Sequence, residues 1–385
     1  MPASDPTASL DFSENQLRHW KLLQDFQERL HKALTLSGAL PTPPDSDRQF
    51  WAKDYFSLLL FGLLNPVVRT MRGLCAASHF QRVQEEVCGR PVSLGSFSEA
   101  QHVFDPELLS QVLRDCAAQA PAGFGDQRVR EYVKELTAND GTLLPALPRM
   151  AWALYQDKQH RAGKLHLEFS VFRQVPTEWT LTPANESERK VWEKKLQRGG
   201  FYVNDRGYSH DYQLIGRVFQ AGASGVLRLH NNAILTELGE RVPLNDADRQ
   251  AGVLRDVRVR LGSGSDGPEV RLVEVQVDGH TFLLITDRSD IPAELIALIY
   301  RYRWQIELFF KWLKCILGCR HLLAESPAGV AAQIYCALIA AVLLTRCTGR
   351  RPGKRAMEAL QFYWLGYITL EELCGALKIE KKAKA

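Results

Sequence analysis

Apolar residues recur at three-and-four spacing through much of the first 125 positions and at alternate positions through much of the span that follows. The first rhythm predicts helices over residues 12–36, 50–64, 79–87 and 106–119, with a Gly- and Pro-rich break over 38–45. Ser96-Phe97-Ser98-Glu99 offers a helix start, because a small hydroxyl can cap free backbone N–H groups. From Val129 the pattern changes. Residues 133–138 predict a strand ending at Asp140-Gly141-Thr142, and over 164–172 Leu165, Leu167, Phe169 and Val171 alternate with polar neighbours. A helix is expected over 186–197 and a strand over 200–203 running into Asp205. Further strands are expected at 225–229, 253–261 and 270–277, the last turning at Asp278-Gly279 into 281–286. A long helix over 292–317, an apolar helix over 329–345, a basic loop and a short helical tail complete the chain.

Composition narrows the class. With 385 residues, 45% hydrophobic and 24% charged, the chain reads as globular, which excludes collagen-like, disordered and disulfide-scaffold classes. Net charge is only +4, but from Arg301 onward there are 14 basic against 6 acidic residues, a local excess that points to a polyanionic partner. The N-terminus lacks the basic patch and apolar run of a signal peptide. The most apolar stretches, 55–68 and 329–345, fall short of the ~20 residues of a spanning helix and are expected to be buried core helices, so no membrane partner is expected. Eight scattered cysteines suit reduced thiols, and Cys315, Cys319 and His321 lack a second ligand pair for zinc. The expected location is cytoplasmic and nucleoid-associated.

The helix over 292–317 carries the densest candidate chemistry. At ~100° per residue, Tyr300, Arg303, Glu307 and Lys314 fall within roughly 60° of one another, with Lys311 beside them. Leu295, Ile299, Tyr302, Ile306, Phe309 and Leu313 fill the adjacent packing arc, and Trp304 and Trp312 lie outside it. The plain alternative is the solvated face of an amphipathic helix.

Tyr300-x2-Arg303-x3-Glu307-x6-Lys314, in its Tyr-Arg-x-Arg-Trp-Gln-Ile-Glu-Leu-Phe-Phe-Lys type of context, resembles the signature of the insertion-sequence-four family of DDE transposases. Asp140-Gly141-Thr142 is similar to that family's first Asp motif and Asp205-Arg206-Gly207-Tyr208 to its second, with Lys164-Leu165-His166-Leu167 as the strand between. The resemblance covers about residues 130–345 and extends loosely upstream through Leu94-Gly95-Ser96-Phe97-Ser98.

It implies an α/β fold with a ribonuclease-H-like catalytic core. A β-rich insertion would lie between the second Asp and the Glu, and an all-helical N-terminal domain would come first. The corresponding spans are 1–125 (helical, a candidate DNA-binding unit), 126–215 and 291–345 (core), 216–290 (β insertion) and 346–385 (basic helical tail). Asp140, Asp205 and Glu307 would be the catalytic and metal-holding acids for two Mg²⁺ ions, with Mn²⁺ able to substitute. Two metals about 3.5–4 Å apart can activate a nucleophile and stabilise a leaving oxygen, and hard carboxylate oxygens suit Mg²⁺. Tyr300, Arg303, Lys314 and Lys311 would grip DNA phosphates, and Trp304 would stack on a displaced base.

Other residues compete for these roles. Asp157 is a rival first acid, Asp211 a rival second, and Asp287 ends a strand just before the Glu307 helix. Asn139 is more polar than the residue expected before a strand-borne acid. The basic loop of Arg346, Arg350, Arg351, Lys354 and Arg355, with Lys381-Lys382, is either a DNA-backbone contact or a solvated loop and tail. The implied activity is cut-and-paste transposition: binding terminal inverted repeats of double-stranded DNA, cleaving them, and joining them to target DNA as a dimer in the synapse. The rivals are a catalytically silent transposase-derived DNA-binding protein and a host nuclease of the same fold.

Overall fold

The computed structural model describes residues 19–38, 50–68, 70–146, 150–153, 161–315 and 322–377. Outside these lie the start of the first expected helix, most of the 38–45 break, Asp157, Cys319, His321 and Lys381-Lys382, and of Cys315 only the backbone is described.

Helices come first: α1 (His19–Leu36), α2 (Ala52–Leu64), α3 (Met71–Ala77), α4 (Gln81–Val83, continued by a π-helical turn Gln84–Cys88), α5 (Leu94–Val103), α6 (Leu108–Ala118) and α7 (Gln127–Tyr132). The start of α5 differs from the sequence expectation by three residues. Ser93, in extended conformation, accepts from Ser96 N at 3.0 Å, so Ser93 is the cap and Ser96 lies in the first turn.

The mixed region comprises β1 (Thr137–Ala146), β2 (Arg161–Ser170), β3 (Val175–Pro183), α8 (Glu188–Glu193), β4 (Phe201–Asn204), α9 (Tyr212–Gln220) and β5 (Ser224–Leu229). It continues through β6 (Leu235–Leu238), α10 (Asp246–Gln250), β7 (Val253–Leu261), β8 (Glu269–Val277) and β9 (His280–Thr286). The chain then runs through α11 (Ala293–Tyr302), α12 (Trp304–Cys315), α13 (Pro327–Thr348), α14 (Lys354–Trp364) and α15 (Leu370–Leu377).

All nine strands join one sheet in the order β3-β2-β1-β4-β5-β9-β8-β7-β6. β1, β2 and β3 form an antiparallel meander, β4 and β5 add in parallel to β1, and β9 returns antiparallel beside β5. β6 to β9 thus extend the sheet beyond β5 instead of packing as a separate layer. The β8–β9 turn has Asp278 at φ +48° and Gly279 at φ +76°, the two positive angles of a type I′ hairpin that Asp-Gly is suited to adopt.

Three local expectations change. Asp140 lies inside β1, not beyond its end, because the strand starts at Thr137 and continues to Ala146. The helix over 292–317 is two helices that break at Arg303, where N–H groups reach back three residues (Arg303 N to Tyr300 O and Ile306 N to Arg303 O, both 3.1 Å). Trp312 is not on an outer face: only 5% of it is exposed, and it packs beside Phe309.

Helix α13 organises the core. It has 22 residues, long and apolar enough to cross a bilayer, yet 89% of its most apolar window is buried within the fold. It packs against α2, α5, α6, α12 and β3, so the N-terminal helices and one face of the sheet bury their apolar side chains in one continuous cluster. Its start is defined by Ser326, which accepts from Gly329 N at 3.1 Å, and its end by Gly349 at φ +74°.

The outer strands hold α11 in place. Arg271 of β8 makes two hydrogen bonds to buried Asp256 of β7 (2.9 and 2.6 Å) and donates to the carbonyls of Arg288 and Ile291, just before α11. Asp248 of α10 accepts from Glu294 N at the first turn of α11. The strands between β5 and α11 therefore fix the approach of the helix pair that carries Glu307.

Candidate active site

Two parallel strands set the position of the first two acids. β1 and β4 pair with Thr137 opposite Tyr202 and Ala138 opposite Val203. Continuing this register places Asn139 opposite Asn204 and Asp140 level with Asp205, the residue after β4. Asn204 Oδ1 accepts from both the backbone N (3.2 Å) and Nδ2 (3.1 Å) of Asn139, and both side chains are buried. The polar residue before Asp140 is thus part of the device that aligns the two acids.

Asp205 sits in a tight turn, its Oδ1 accepting from Gly207 N at 2.8 Å, and Tyr208 at the end of that turn is 2% exposed. Asp140 Oδ1 accepts from Gly141 N at 2.8 Å. Burial pushes the Asp140 carboxyl up to about 7, and the negative charges of Glu188 and Asp205 add to this. Glu188, the first residue of α8, was not legible as a site residue, since an acid opening a helix is commonplace in any sequence.

Glu307 lies on α12, which packs across β1 with Phe309 against Phe169 (ring centroids 5.2 Å apart). Its Oε1 is 2.7 Å from Arg303 Nη2, and the Arg303 guanidinium lies 5.6 Å from the centre of the Tyr300 ring. Arg303 also acts electrostatically on Asp140, which links the two helices to the sheet. The Tyr300 hydroxyl is buried without a hydrogen-bond partner, so this tyrosine presents its ring to Arg303 and packs on Phe282. Trp304 is 54% exposed, Lys311 is exposed and Lys314 is half-buried. Tyr300, Arg303 and Glu307 therefore stand together, while Trp304 and Lys311 lie on the open side of the same helix pair.

The rival acids have structural tasks. Asp211 caps α9 by accepting from Gln213 N and Leu214 N (3.0 and 3.1 Å). Asp287 accepts from Ser224 Oγ (2.7 Å) and Gly225 N (3.1 Å), tying the end of β9 to the start of β5. The basic loop is partly turned inward. Arg346 pairs with Asp25 at 2.7 Å, and Arg351 reaches Gln305 O at 3.2 Å, its guanidinium pushed down to about 10 by burial.

Among the described residues, no three His, Cys, Asp or Glu side chains stand close enough to hold a metal ion as they are placed. The donor chemistry nevertheless fits a hard divalent cation. Asp140 is a desolvated carboxylate beside further negative charge, and Asp205 is level with it. Glu307, the third acid, is ion-paired with Arg303 at 2.7 Å.

Residues 131–343 match the family described as a transposase DDE domain. The chain is 30% identical over 295 residues to the putative transposase y4zB of Sinorhizobium fredii, covering 72% of this chain and 82% of the relative. It is 27% identical over 243 residues to a probable insertion-sequence transposase of Geobacillus stearothermophilus, covering 62% of this chain and 61% of that one. The cryo-EM structure of the piggyBac transposase synaptic complex with hairpin DNA superposes with a TM-score of 0.45 and 10% identity, covering 96% of this chain and 85% of its own.

Proposed function

The chain belongs to the transposase DDE domain family, and from that premise we propose that it is the insertion-sequence-four type of transposase, cutting its element free at terminal inverted repeats and joining it to target DNA. DNA cleavage and strand transfer are the family's chemistry, and divalent metal ions generally serve it. One observation carries the assignment of acids: the Asn139–Asn204 pair joins parallel β1 and β4 immediately before Asp140 in β1 and Asp205 just after β4, with the Glu307 helix packed across β1. The order β3-β2-β1-β4-β5, antiparallel and then parallel, supports a ribonuclease-H-like core.

Asp140, Asp205 and Glu307 would hold two Mg²⁺ ions, for which Mn²⁺ can substitute, and such a pair supplies nucleophile activation and charge stabilisation on the leaving oxygen. The chain's own residues do the rest. Arg303, released from Glu307, offers its planar fork to a phosphate beside the scissile bond. Lys311 and Lys314, one and two turns beyond Glu307 along α12, bind neighbouring phosphates as point charges. Tyr300 stacks on the guanidinium and orients it. Trp304, exposed at the helix break, provides a face on which an unpaired base can stack. Synapsis of two ends by a dimer, and a cytoplasmic, nucleoid-associated location, complete the proposal.

The test uses duplexes carrying the inverted repeats that flank the gene. Wild-type protein with Mg²⁺ is expected to nick at the repeat boundary and, with target DNA present, to join the ends. Sequence-specific binding without cleavage in Mg²⁺ or Mn²⁺ would favour a silent DNA-binding protein. Cleavage indifferent to the repeat sequence would favour a nuclease.

A further inference from the structure

Behind Asp140 lies a cavity of about 10 Å³, lined among others by Asp140, His166, Glu188, Trp192, Lys195 and Tyr208. That volume is close to the least that admits one water molecule. Trp192 is 3% exposed, and its indole N–H is buried without a hydrogen-bond partner; His166 is 5% exposed, and its Nδ1 is equally unsatisfied. A buried donor left in this state calls for an oxygen in the space beside it.

The Glu188 carboxylate closes one side of this space. A Cβ added at Gly141 would stand 2.6 Å from Glu188 Oε1 and 2.9 Å from Cδ, so the carboxylate lies directly against the backbone that follows Asp140. Lys164 Nζ is 3.5 Å from Glu188 Oε1, beyond ordinary hydrogen-bond length, and donates instead to Glu186 O at 3.1 Å. Tyr208, buried at the turn after Asp205, feels Glu188, Asp140 and Asp205 together, and the opposing charge acting on it is Arg303, which is paired with Glu307. Asp140, Glu168 and Glu188 line this water-sized space, with Lys195 on its wall and Lys164 3.5 Å from Glu188.

We propose that Glu188 is a fourth carboxylate of the metal site, sharing with Asp140 a hydrated divalent cation whose water occupies the cavity beside Trp192. The inference rests on the reading of Asp140 and Asp205 as metal-holding residues. A cation held between Asp140 and Glu188 that keeps part of its hydration shell supplies the oxygen that the buried Trp192 N–H lacks. A purely structural Glu188, favouring the start of α8 and attracting Lys164, would leave metal binding untouched.

The experiment is a Mn²⁺ titration of the full-length protein without DNA, followed by electron paramagnetic resonance to count bound ions and measure their dissociation constant. Glu188→Gln is expected to weaken Mn²⁺ binding about 10-fold or more, and Glu188→Asp to weaken it less. Glu193→Gln, on the same helix but paired with Arg217, is expected to bind as wild type. Circular dichroism and thermal melting of each variant show whether it is folded, and Glu188→Asp provides the comparison should Glu188→Gln not fold. Wild-type affinity and ion count in the Glu188 variants, with binding lost in Asp140→Asn and Asp205→Asn, would overturn the role of Glu188 alone. Mn²⁺ uptake that is absent from wild type, or unaffected by Asp140→Asn and Asp205→Asn, would overturn the metal-site reading and this inference with it.

Discussion

Asn204 Oδ1 accepts two hydrogen bonds from Asn139, one from its backbone N at 3.2 Å and one from its Nδ2 at 3.1 Å, where β1 and β4 run side by side. These bonds carry the parallel register one residue past the Ala138–Val203 pair, to the residues immediately before Asp140 and Asp205. An apolar residue at position 139 would pack in the strand but would hold Asn204, which is fully buried, by the backbone bond alone.

Asn139→Val is therefore expected to cost about 0.5–1.5 kcal/mol, the net worth of the one hydrogen bond removed. Cleavage should fall further than the loss of folded protein explains, because the two acids lose their alignment. Thermal melting alongside a cleavage assay at a temperature where both proteins are folded checks this; equal loss in both would show the pair to be structural only.

Glu307→Ala should lower cleavage by more than about 100-fold, beyond the range for groups that merely orient a metal ligand. Binding to the element's end should persist, since Arg303 is freed from its 2.7 Å ion pair to meet phosphate. Gel-shift and cleavage assays on the same duplex separate the two effects.

Metal affinity should depend on pH through Asp140, whose carboxyl is held at about 7 by burial and by the neighbouring Glu188 and Asp205 charges. Below that value a proton competes with the cation for the same oxygens. Apparent Mn²⁺ affinity is expected to fall by up to about 10-fold per pH unit below 7 and to level off above about 8. Titrations at three pH values test the slope, and a flat profile would contradict it.

Burial also raises Glu168 to about 7 from an ordinary 4.5, with Lys195 pulling it back and Glu178 adding to it. The folded protein therefore holds a proton that the unfolded chain releases between about 4.5 and 7, so this residue costs stability as pH rises through that interval. Glu168→Gln should melt like wild type near pH 4 and be more stable at pH 8, by about 1–3 kcal/mol.

Arg271→Ala should destabilise the protein by about 3–5 kcal/mol, the range for stranding one partner of a buried ion pair. Asp256 would be left 2% exposed without its guanidinium, and the carbonyls of Arg288 and Ile291 would lose their donor. Chemical denaturation measures the loss. Replacing both residues, with Arg271→Met and Asp256→Leu, should recover part of it.

Much of this molecule is local, and so was readable along the chain. The apolar run that became α13, the alternation in β2 and the Asp-Gly turn between β8 and β9 depend on neighbours a few positions away. The acids could be nominated from their motifs for the same reason. What tertiary structure decided depends on residues far apart in sequence. Asn139 meets Asn204 across 65 positions, Arg346 turns to Asp25 across 321, and Glu188 comes to rest on the backbone of Gly141. The break at Arg303 escaped the pattern because the apolar spacing of α11 and α12 continues through it. Trp312 escaped because a helical wheel assumes one buried arc, whereas α12 is wedged between β1 and α13 and buries a wider one. Periodicity records which way a side chain faces on its own element; only packing records what waits on the other side.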